Sequence, residues 1–538
     1  MRIHFLWLAL LGFGCSGGGS GGTGGMSGAE PNDMVRVEQL LFSGFEPEPN
    51  PETDAPTPSA LNQARVVRYF PDEDPTPAPR AIVVAMPGFL GGGPSFDAIA
   101  RSVVRRCTED GFPVEFWAID RRSNGLEDLT GMNAGERDGD AEIAWSYYFD
   151  GAEVDGQKFA GYASQQSVSY MSEWGLETHL EDLRAVIDLI PEAQQKGHVF
   201  VAGHSFGATL AELYGAWRFK SDDQRGFDQI AGMIFLDGLM GDDPITEMEF
   251  LNGHGSGLSR QAGLTEIRTS GGPHYTTLPL LGIDVYTSAE IGALRTWFDP
   301  RGIVEDPVRD DSLKILLGLS EIPQATNIAM QGLAFDSAHQ PLSFTRVTMG
   351  QLTGGPTEDF TFLGGTEVLQ RPSDPDAVYD WIDAFVADPV EFTPARNLAR
   401  AFTIGESNFA EWYFPERITI DADAAQGGNI DEAGWQVAYG IRAFDGELND
   451  APVLCILAND ADRCDVLRTR LAPTIGAGRP SAGATRDSDL GVRVIEAVDM
   501  AHLDLIVSDE RAEANRVPDE IATFLETHTA AGTATPNL

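Results

Sequence analysis

Ser205 is the residue whose setting most clearly predicts chemistry, because it lies between Gly203 and Gly207 where two sequence patterns meet. Residues 198–203 (HVFVAG) are an apolar run typical of a buried strand, and residues 205–217 (SFGATLAELYGAW) have the apolar spacing of a helix. The glycines leave room for a sharp turn. The hydroxyl would then lie above the N-terminus of the helix, where the helix dipole favours negative charge. The pattern predicts a nucleophilic serine.

The elements around this turn predict an α/β fold. Short runs that are apolar throughout indicate strands buried on both faces, as in a parallel sheet. Helical patterns between many of them indicate right-handed strand–helix–strand crossovers and therefore a doubly wound, mostly parallel sheet. The apolar runs are residues 64–70, 81–86, 114–119, 198–203, 231–236, 452–458 and 492–498.

The strand, G-x-S-x-G turn and helix together resemble the nucleophile turn of the α/β-hydrolase superfamily. The resemblance covers residues 80–240 and 451–526 and implies a hydrolase core in which Ser205 is the nucleophile. It also implies two backbone N–H donors for an oxyanion. One is Phe206, directly after the serine, and the other is Phe89, in a Pro-Gly-Phe loop where the family usually has histidine before the glycine.

The same resemblance implies a histidine base beyond the last strand and an aspartate that orients it. His502, in the segment MAHLD, resembles the catalytic-histidine segment of acid lipases and related hydrolases. Asp460 is the first candidate for the acid, because its LAND segment resembles the GGND turn of acid lipases. Asp462 and Asp237 are the alternatives, and Asp237, in FLDG, is at the position used by another branch of lipases. This chemistry requires no metal or organic cofactor.

A long segment interrupts the regular alternation of strands and helices before the strand expected to carry the acid. It is rich in aromatic residues and lies where the superfamily places a lid or cap, so the resemblance implies a partly helical cap over the serine. Asp120, Arg121 and Arg122, which follow the apolar run 114–119, are interpreted as structural ion-pair members. The predicted parts are a hydrolase core (61–240 and 451–530), a cap (241–450) and a C-terminal tail (531–538).

The N-terminus predicts export. Residues 1–15 contain a short apolar run that ends at Cys15 and is too brief to span a membrane, and a Gly/Ser-rich stretch follows. This segment resembles a bacterial lipoprotein signal, with the usual leucine displaced by one position to Leu11, which implies lipidation of Cys15. An ordinary secreted protein is the alternative. Residues 16–60 are predicted to be a flexible tether.

Three cysteines remain after Cys15, namely Cys107, Cys455 and Cys464. An odd count in an exported chain permits at most one disulfide, for which Cys455 and Cys464 are the candidates. Their spacing matches no zinc site.

The charge of the 538-residue chain limits its partners. It has 82 acidic residues against 37 Lys and Arg, a formal net charge of −45. Such a surface repels phosphate backbones and anionic lipids, which argues against nucleic acid and leaves a lipid anchor as the only predicted route to a membrane.

The leading hypothesis is an exported serine hydrolase that cleaves carboxylic esters, with a lipase-like or a polymeric substrate. A serine peptidase of the aminopeptidase type is one alternative. The other is a catalytically inactive surface-binding lipoprotein with the same fold.

Overall fold

In the computed structural model, which describes residues 34–278, 280–387, 389–403, 407–464 and 491–538, eight strands form one central sheet. Their order is β1-β2-β4-β3-β5-β6-β7-β8. Of these eight described strands, β2 runs in the opposite direction to the other seven, which are parallel to one another. This confirms the predicted α/β class and the mostly parallel sheet. The strands are β1 (Val35–Ser43), β2 (Gln63–Pro71), β3 (Ala81–Met86), β4 (Val114–Asp120), β5 (Val199–His204), β6 (Gly232–Leu236), β7 (Val453–Ala458) and β8 (Val492–Ala497).

Helices cover both faces of the sheet. Every residue of β3, β5 and β6 is buried, which explains why these strands are apolar throughout rather than alternating. The helices that follow the core strands are α1 (Asp97–Glu109), α2 (Thr130–Asp138), α3 (Ala141–Tyr148), α4 (Leu176–Ile187), α5 (Glu192–His198) and α6 (Phe206–Ala216).

The segment predicted as a cap, 241–450, lies wholly between β6 and β7 and is referred to below as the insertion. It packs on the core: Nε of Arg400 lies 2.6 Å from Oδ2 of Asp97, and the amide of Gly92 donates to the carbonyl of Phe409 over 2.7 Å. Its helices are α7 (Glu247–Asn252), α8 (Leu264–Ile267), α9 (Asp284–Phe298), α10 (Pro307–Leu317), α11 (Asn327–Phe335), α12 (Ala395–Ala401) and α13 (Glu416–Ala424).

Among the described residues, short two-stranded ribbons lie in the core and in the insertion, and two further helices lie near the C-terminus. The helices are α14 (Asp504–Val507) and α15 (Val517–His528). One ribbon lies in the core (Glu153–Val154 with Gln157–Lys158), and the others lie in the insertion (Tyr275–Thr276 with Phe414–Pro415, Gly350–Thr353 with Asp380–Asp383, and Thr357–Phe360 with Leu369–Pro372).

The prediction that residues 16–60 form a flexible tether is wrong for the second half of that range. Residues 35–43 form the edge strand β1 and pair along their whole length with β2. Farther on, Asn50 is fully buried and the hydroxyl of Thr57 accepts from the indole N–H of Trp174 over 3.0 Å. The predicted tail also packs on the core, where the amide of Ala534 donates to the carbonyl of Pro79 over 2.8 Å. The predicted signal peptide and Cys15 lie outside the described residues.

No disulfide joins the cysteines that the structure describes, so the candidate pair Cys455–Cys464 is not formed. Both side chains are buried, as is that of Cys107, and burial raises the pKa of the Cys107 thiol to about 12. No helix in the described ranges is both long and apolar enough to cross a membrane.

A pair of buried carboxyl groups lies inside the insertion. Asp336 accepts from the amides of Met349 and Ala338 over 2.9 Å each, and Glu391 accepts from the amide of Gly350. Burial raises the pKa of Asp336 to about 7, and burial together with the charge of Asp336 raises the pKa of Glu391 to about 8. The folded protein therefore binds protons that an unfolded chain releases near pH 4.

We expect the free energy of unfolding to fall by about 1 kcal/mol or more between about pH 5 and about pH 8, because the folded state binds more protons across this window. Urea denaturation at constant ionic strength measures it. Asp336→Asn should reduce the fall, whereas Asp376→Asn, at an exposed carboxyl, should not. A free energy of unfolding that rises with pH would contradict the raised pKa values of Asp336 and Glu391. An unchanged pH dependence in Asp336→Asn would also contradict them.

Candidate active site

Ser205 occupies a strained turn between β5 and α6. Its φ of 54° and ψ of −122° lie in a region that residues other than glycine rarely adopt. The turn is fixed by the amide of Ser205, which donates to the carbonyl of Leu236 at the end of β6 over 2.8 Å. Such strain persists only where the surrounding structure enforces it, and it is concentrated at functional sites.

The glycines on either side of this serine are required by close backbone contacts. A Cβ at Gly203 would lie 2.1 Å from the carbonyl carbon of Gly207, and one at Gly207 would lie 2.0 Å from the carbonyl oxygen of Met86. A Cβ at Gly238 would lie 1.9 Å from the carbonyl oxygen of Ser205. The turn therefore packs directly against the ends of β3 and β6.

The loop after β3 lies beside the serine. A Cβ at Gly88 would be only 3.0 Å from Cβ of Ser205, so the predicted oxyanion loop is at the nucleophile. The rings of Phe89 and Phe206, the two residues predicted to donate backbone N–H groups, both pack on Phe414, with centroid distances of 4.6 and 5.8 Å. The structure thus brings both residues to one place.

Arg121 holds this loop in shape from beneath. Its buried guanidinium donates to the carbonyls of Gly88 over 3.0 Å and Gly91 over 3.1 Å, and also to that of Pro87. Nη1 of Arg121 lies 2.6 Å from Oε2 of Glu411, a buried residue of the insertion. Arg121 is therefore a structural ion-pair member, as predicted, and its partner comes from the insertion.

The other two residues of this ion-pair segment are also structural. Asp120 accepts from the amide of Gly93 and from the hydroxyl of Ser407. Arg122 pairs with Asp182, with Nε 2.9 Å from Oδ2. Together these contacts fix the chain on both sides of Arg121.

His502 and Asp237 form the central polar contact of the site. Nδ1 of His502 lies 2.5 Å from Oδ2 of Asp237, and their side chains are only 15 % and 12 % exposed. Asp237 directly follows β6 and has a φ of 46°, while His502 lies in the turn between β8 and α14. The amide of Ala458, at the end of β7, donates to Oδ1 of Asp237 over 3.3 Å.

Charge and burial determine the protonation of this pair. Burial by itself raises the pKa of Asp237, but the hydrogen bond and charge of His502, with the charge of Arg463, lower it below its ordinary value. Asp237 is therefore ionised at neutral pH and can only accept. The proton in the contact then belongs to Nδ1 of His502, which leaves Nε2 as the basic nitrogen.

His204, the residue before the serine, connects the nucleophile turn to His502. Its Nε2 lies 3.0 Å from the carbonyl oxygen of His502, and the two imidazole centroids are 4.5 Å apart. Burial, with the charge of His502, lowers the pKa of His204 to about 3, so its ring is neutral and donates from Nε2. The residue next to Ser205 therefore contacts His502, which places the turns that carry Ser205 and His502 at the same edge of the sheet.

The structure places the three candidates for the acid differently. Asp460 does not contact His502: its Oδ1 accepts from the amide of Arg463 over 2.9 Å and caps a helical turn that begins at Ala461. Asp462 is exposed on that turn. Asp237, a weaker alternative from the sequence, holds the imidazole instead. The aspartate that contacts His502 therefore precedes the insertion rather than following it.

One residue of the site was missed in the sequence. Asp504 is fully buried two positions after His502 and anchors the turn that carries it. The HLD segment contains the signal, since a polar residue so close to the histidine on an otherwise apolar turn indicates a local hydrogen-bonding role.

The described residues contain a cavity that lies away from this site, and they contain no cluster of side chains suited to a metal ion. A polar cavity of about 270 Å³ opens beside Arg65, Asn124 and Glu127, and none of its lining residues belongs to the site. Within the described ranges, no group of three or more His, Cys, Asp and Glu side chains is arranged to hold a metal ion.

Comparison with known proteins finds distant similarity among solved structures. No family model matches the chain, and no curated protein matches it either. Among solved structures, a candidate lipase from Sulfolobus solfataricus has a TM-score of 0.45 and 13 % identity over 92 % of this chain and 94 % of that one. The peroxisomal α/β-hydrolase of Saccharomyces cerevisiae has a TM-score of 0.37 and 8 % identity over 94 % of each chain. An α/β-hydrolase fold protein from Nakamurella multipartita has a TM-score of 0.33 and 11 % identity over 91 % of this chain and 99 % of that one.

We expect Gly207→Ala to destabilise the protein by about 3 kcal/mol or more, because the added Cβ would overlap the backbone of Met86. Gly292→Ala is the matched control. No atom lies within 4 Å of a Cβ there, and the position is inside α9, so it should stabilise by about 0.5–1 kcal/mol. Urea unfolding measures both. Equal stabilities for the two variants would contradict the packing described for the nucleophile turn.

Proposed function

We propose that this chain is a serine hydrolase that cleaves carboxylic esters, with Ser205 as nucleophile, His502 as base and Asp237 as acid. The observation that carries the proposal is the 2.5 Å contact between Nδ1 of His502 and Asp237, at the sheet edge where the strained Ser205 lies. A nucleophile, a base and a group that orients the base are the components that acyl transfer requires.

In the proposed first step, Nε2 of His502 takes the proton of the Ser205 hydroxyl as its oxygen attacks the ester carbonyl. The imidazolium that forms is stabilised by the ionised Asp237. The carbonyl oxygen becomes an oxyanion, and the backbone N–H groups of Phe89 and Phe206 are the proposed donors to it. Collapse of this intermediate breaks the ester bond, and His502 gives its proton to the leaving alcohol.

In the second step, water replaces the alcohol. His502 removes a proton from the water as its oxygen attacks the acyl carbonyl on Ser205, and the same donors stabilise the second oxyanion. Collapse releases the carboxylic acid and returns the proton to Ser205. Every proton passes between His502, the serine, the alcohol and water, so the residues present account for the whole cycle.

The surroundings of the serine support an apolar acyl group. Phe89 and Phe344 are only partly buried and meet edge to face, with a centroid distance of 6.2 Å. Phe344 belongs to the insertion, so both the core and the insertion provide apolar surface next to the oxyanion loop. Aromatic walls with a few polar groups are typical of small-molecule sites.

We expect Ser205→Ala to lower kcat for p-nitrophenyl butyrate by about 10³-fold or more and to abolish labelling by a fluorophosphonate probe, because the nucleophile is lost. Hydrolysis of leucine or proline anilides with little ester turnover would favour the peptidase alternative. Wild-type protein that is neither labelled nor active on esters would support the binding alternative and contradict the proposal.

We expect Asp237→Asn to lower kcat by about 10²- to 10⁴-fold, because an amide neither fixes the tautomer of His502 nor stabilises its charge. Asp460→Asn, which keeps an acceptor for the amide of Arg463, should change kcat by about threefold or less. Steady-state ester hydrolysis compares the two. The reverse order of effects would return Asp460 to the acid position.

We propose export and lipidation at Cys15 from the sequence alone. In a bacterial host the wild-type chain should incorporate labelled palmitate and sediment with membranes, whereas Cys15→Ser should do neither. Cys107→Ser is the control and should keep the label, because Cys107 is buried in the core. Label retained by Cys15→Ser would contradict the proposal.

A further inference from the structure

Asp504 is a buried carboxylate with several hydrogen bonds, and its donors come from two parts of the chain. It is 0 % exposed, and Oδ2 accepts from the amide of Ala501 over 2.7 Å. Ala501 belongs to the turn that carries His502, residues 498–503, which is called the histidine turn below. The other donors belong to the insertion. The amide and hydroxyl of Thr348 lie 3.1 and 2.9 Å from Oδ2, and the hydroxyl of Thr393 lies 2.5 Å from Oδ1.

Thr348 and Thr393 together form the surface of the insertion that binds the histidine turn, and this pair is called the seat below. The segments around Thr348 and Thr393 are joined by a hydrogen bond from the amide of Thr393 to the carbonyl of Thr348, over 2.9 Å. The backbone adds two further hydrogen bonds. The amide of Leu503 donates to the carbonyl of Arg346, and the amide of Asp509 donates to the carbonyl of Phe392, over 2.9 Å each. His502 is therefore held on both sides, through Ala501 before it and Leu503 after it.

The hydrogen bonds of Asp504 favour a role in positioning His502. Each donor to Asp504 named above is neutral, so no described ion pair offsets the cost of burying the carboxylate. What the carboxylate provides is several directional bonds that fix two segments relative to one another. A base must be held closely to its productive geometry, and a displacement of about 1 Å can cost about 100-fold in rate.

Resting on the proposed function, we propose that Asp504 is a positioning residue for His502 and that the insertion, through Thr348 and Thr393, is a fixed part of the catalytic frame. The insertion would then set the place of the base as well as covering the substrate. The seat formed by Thr348 and Thr393 should remain bound to the histidine turn throughout the cycle. Any movement over the substrate would be restricted to other parts of the insertion.

The test compares two substitutions at Thr393. Thr393→Val keeps the shape and removes the donor to Asp504, and we expect kcat for p-nitrophenyl butyrate to fall by about tenfold with KM changed by about twofold or less. Thr393→Ser retains the hydroxyl and should restore kcat to within about threefold of wild type. Thr326→Val is the matched control. It removes a threonine–aspartate hydrogen bond to Asp380 elsewhere in the insertion and should leave kcat unchanged.

Active-site titration with a fluorophosphonate corrects each kcat for the fraction of folded enzyme. A corrected kcat for Thr393→Val equal to that of wild type would overturn the proposal, as would equal losses in Thr393→Val and Thr393→Ser. Asp504→Asn, if it folds, should lower the corrected kcat at least as much as Thr393→Val. Failure of the proposed function is distinguishable, because the wild type would then show no ester turnover or Ser205→Ala would keep it.

Discussion

The hydrogen bond between His502 and Asp237 is the contact on which the rest of the site depends. It requires two strand ends to meet, because Asp237 follows β6 and His502 follows β8, with β7 between them. The three strands pair in parallel, so their carboxyl ends share one edge. The amide of Asp237 extends this pairing by donating to the carbonyl of Ile456 over 2.8 Å, which fixes the backbone from which the carboxylate projects.

The insertion contacts three of the loops and turns at this edge. It meets the loop after β3 through Phe409 and Glu411, the nucleophile turn through Phe414, and the histidine turn through Arg346 and the two threonines of the Asp504 seat. Apart from the packing of Phe414 on Phe206, these contacts are backbone and buried polar bonds. A segment attached in this way is coupled to the active-site loops, so substitutions inside it should affect catalysis as well as substrate access.

The sequence was sufficient for the sheet and for the turns that carry Ser205 and His502, because each depends on a local pattern. Continuous apolar runs gave the buried strands, and paired glycines gave the nucleophile turn. The acid could not be ranked in this way, since β6 and β7 are both followed by aspartates at the same sheet edge. The choice depends on where each side chain points: Asp237 turns toward His502, whereas Asp460 caps a helical turn. The edge strand β1 was missed because it is buried only at Val35 and so lacks the apolar run of an inner strand.

The most direct test of the account is the proton NMR spectrum of protein labelled with ¹⁵N in its histidines. A proton held between Nδ1 of His502 and the carboxylate of Asp237 should give a resonance far downfield, coupled to a histidine nitrogen. The account predicts that this resonance is present in the wild type, persists in Asp460→Asn and disappears in Asp237→Asn. A downfield histidine proton that survives Asp237→Asn and is lost in Asp460→Asn would contradict it.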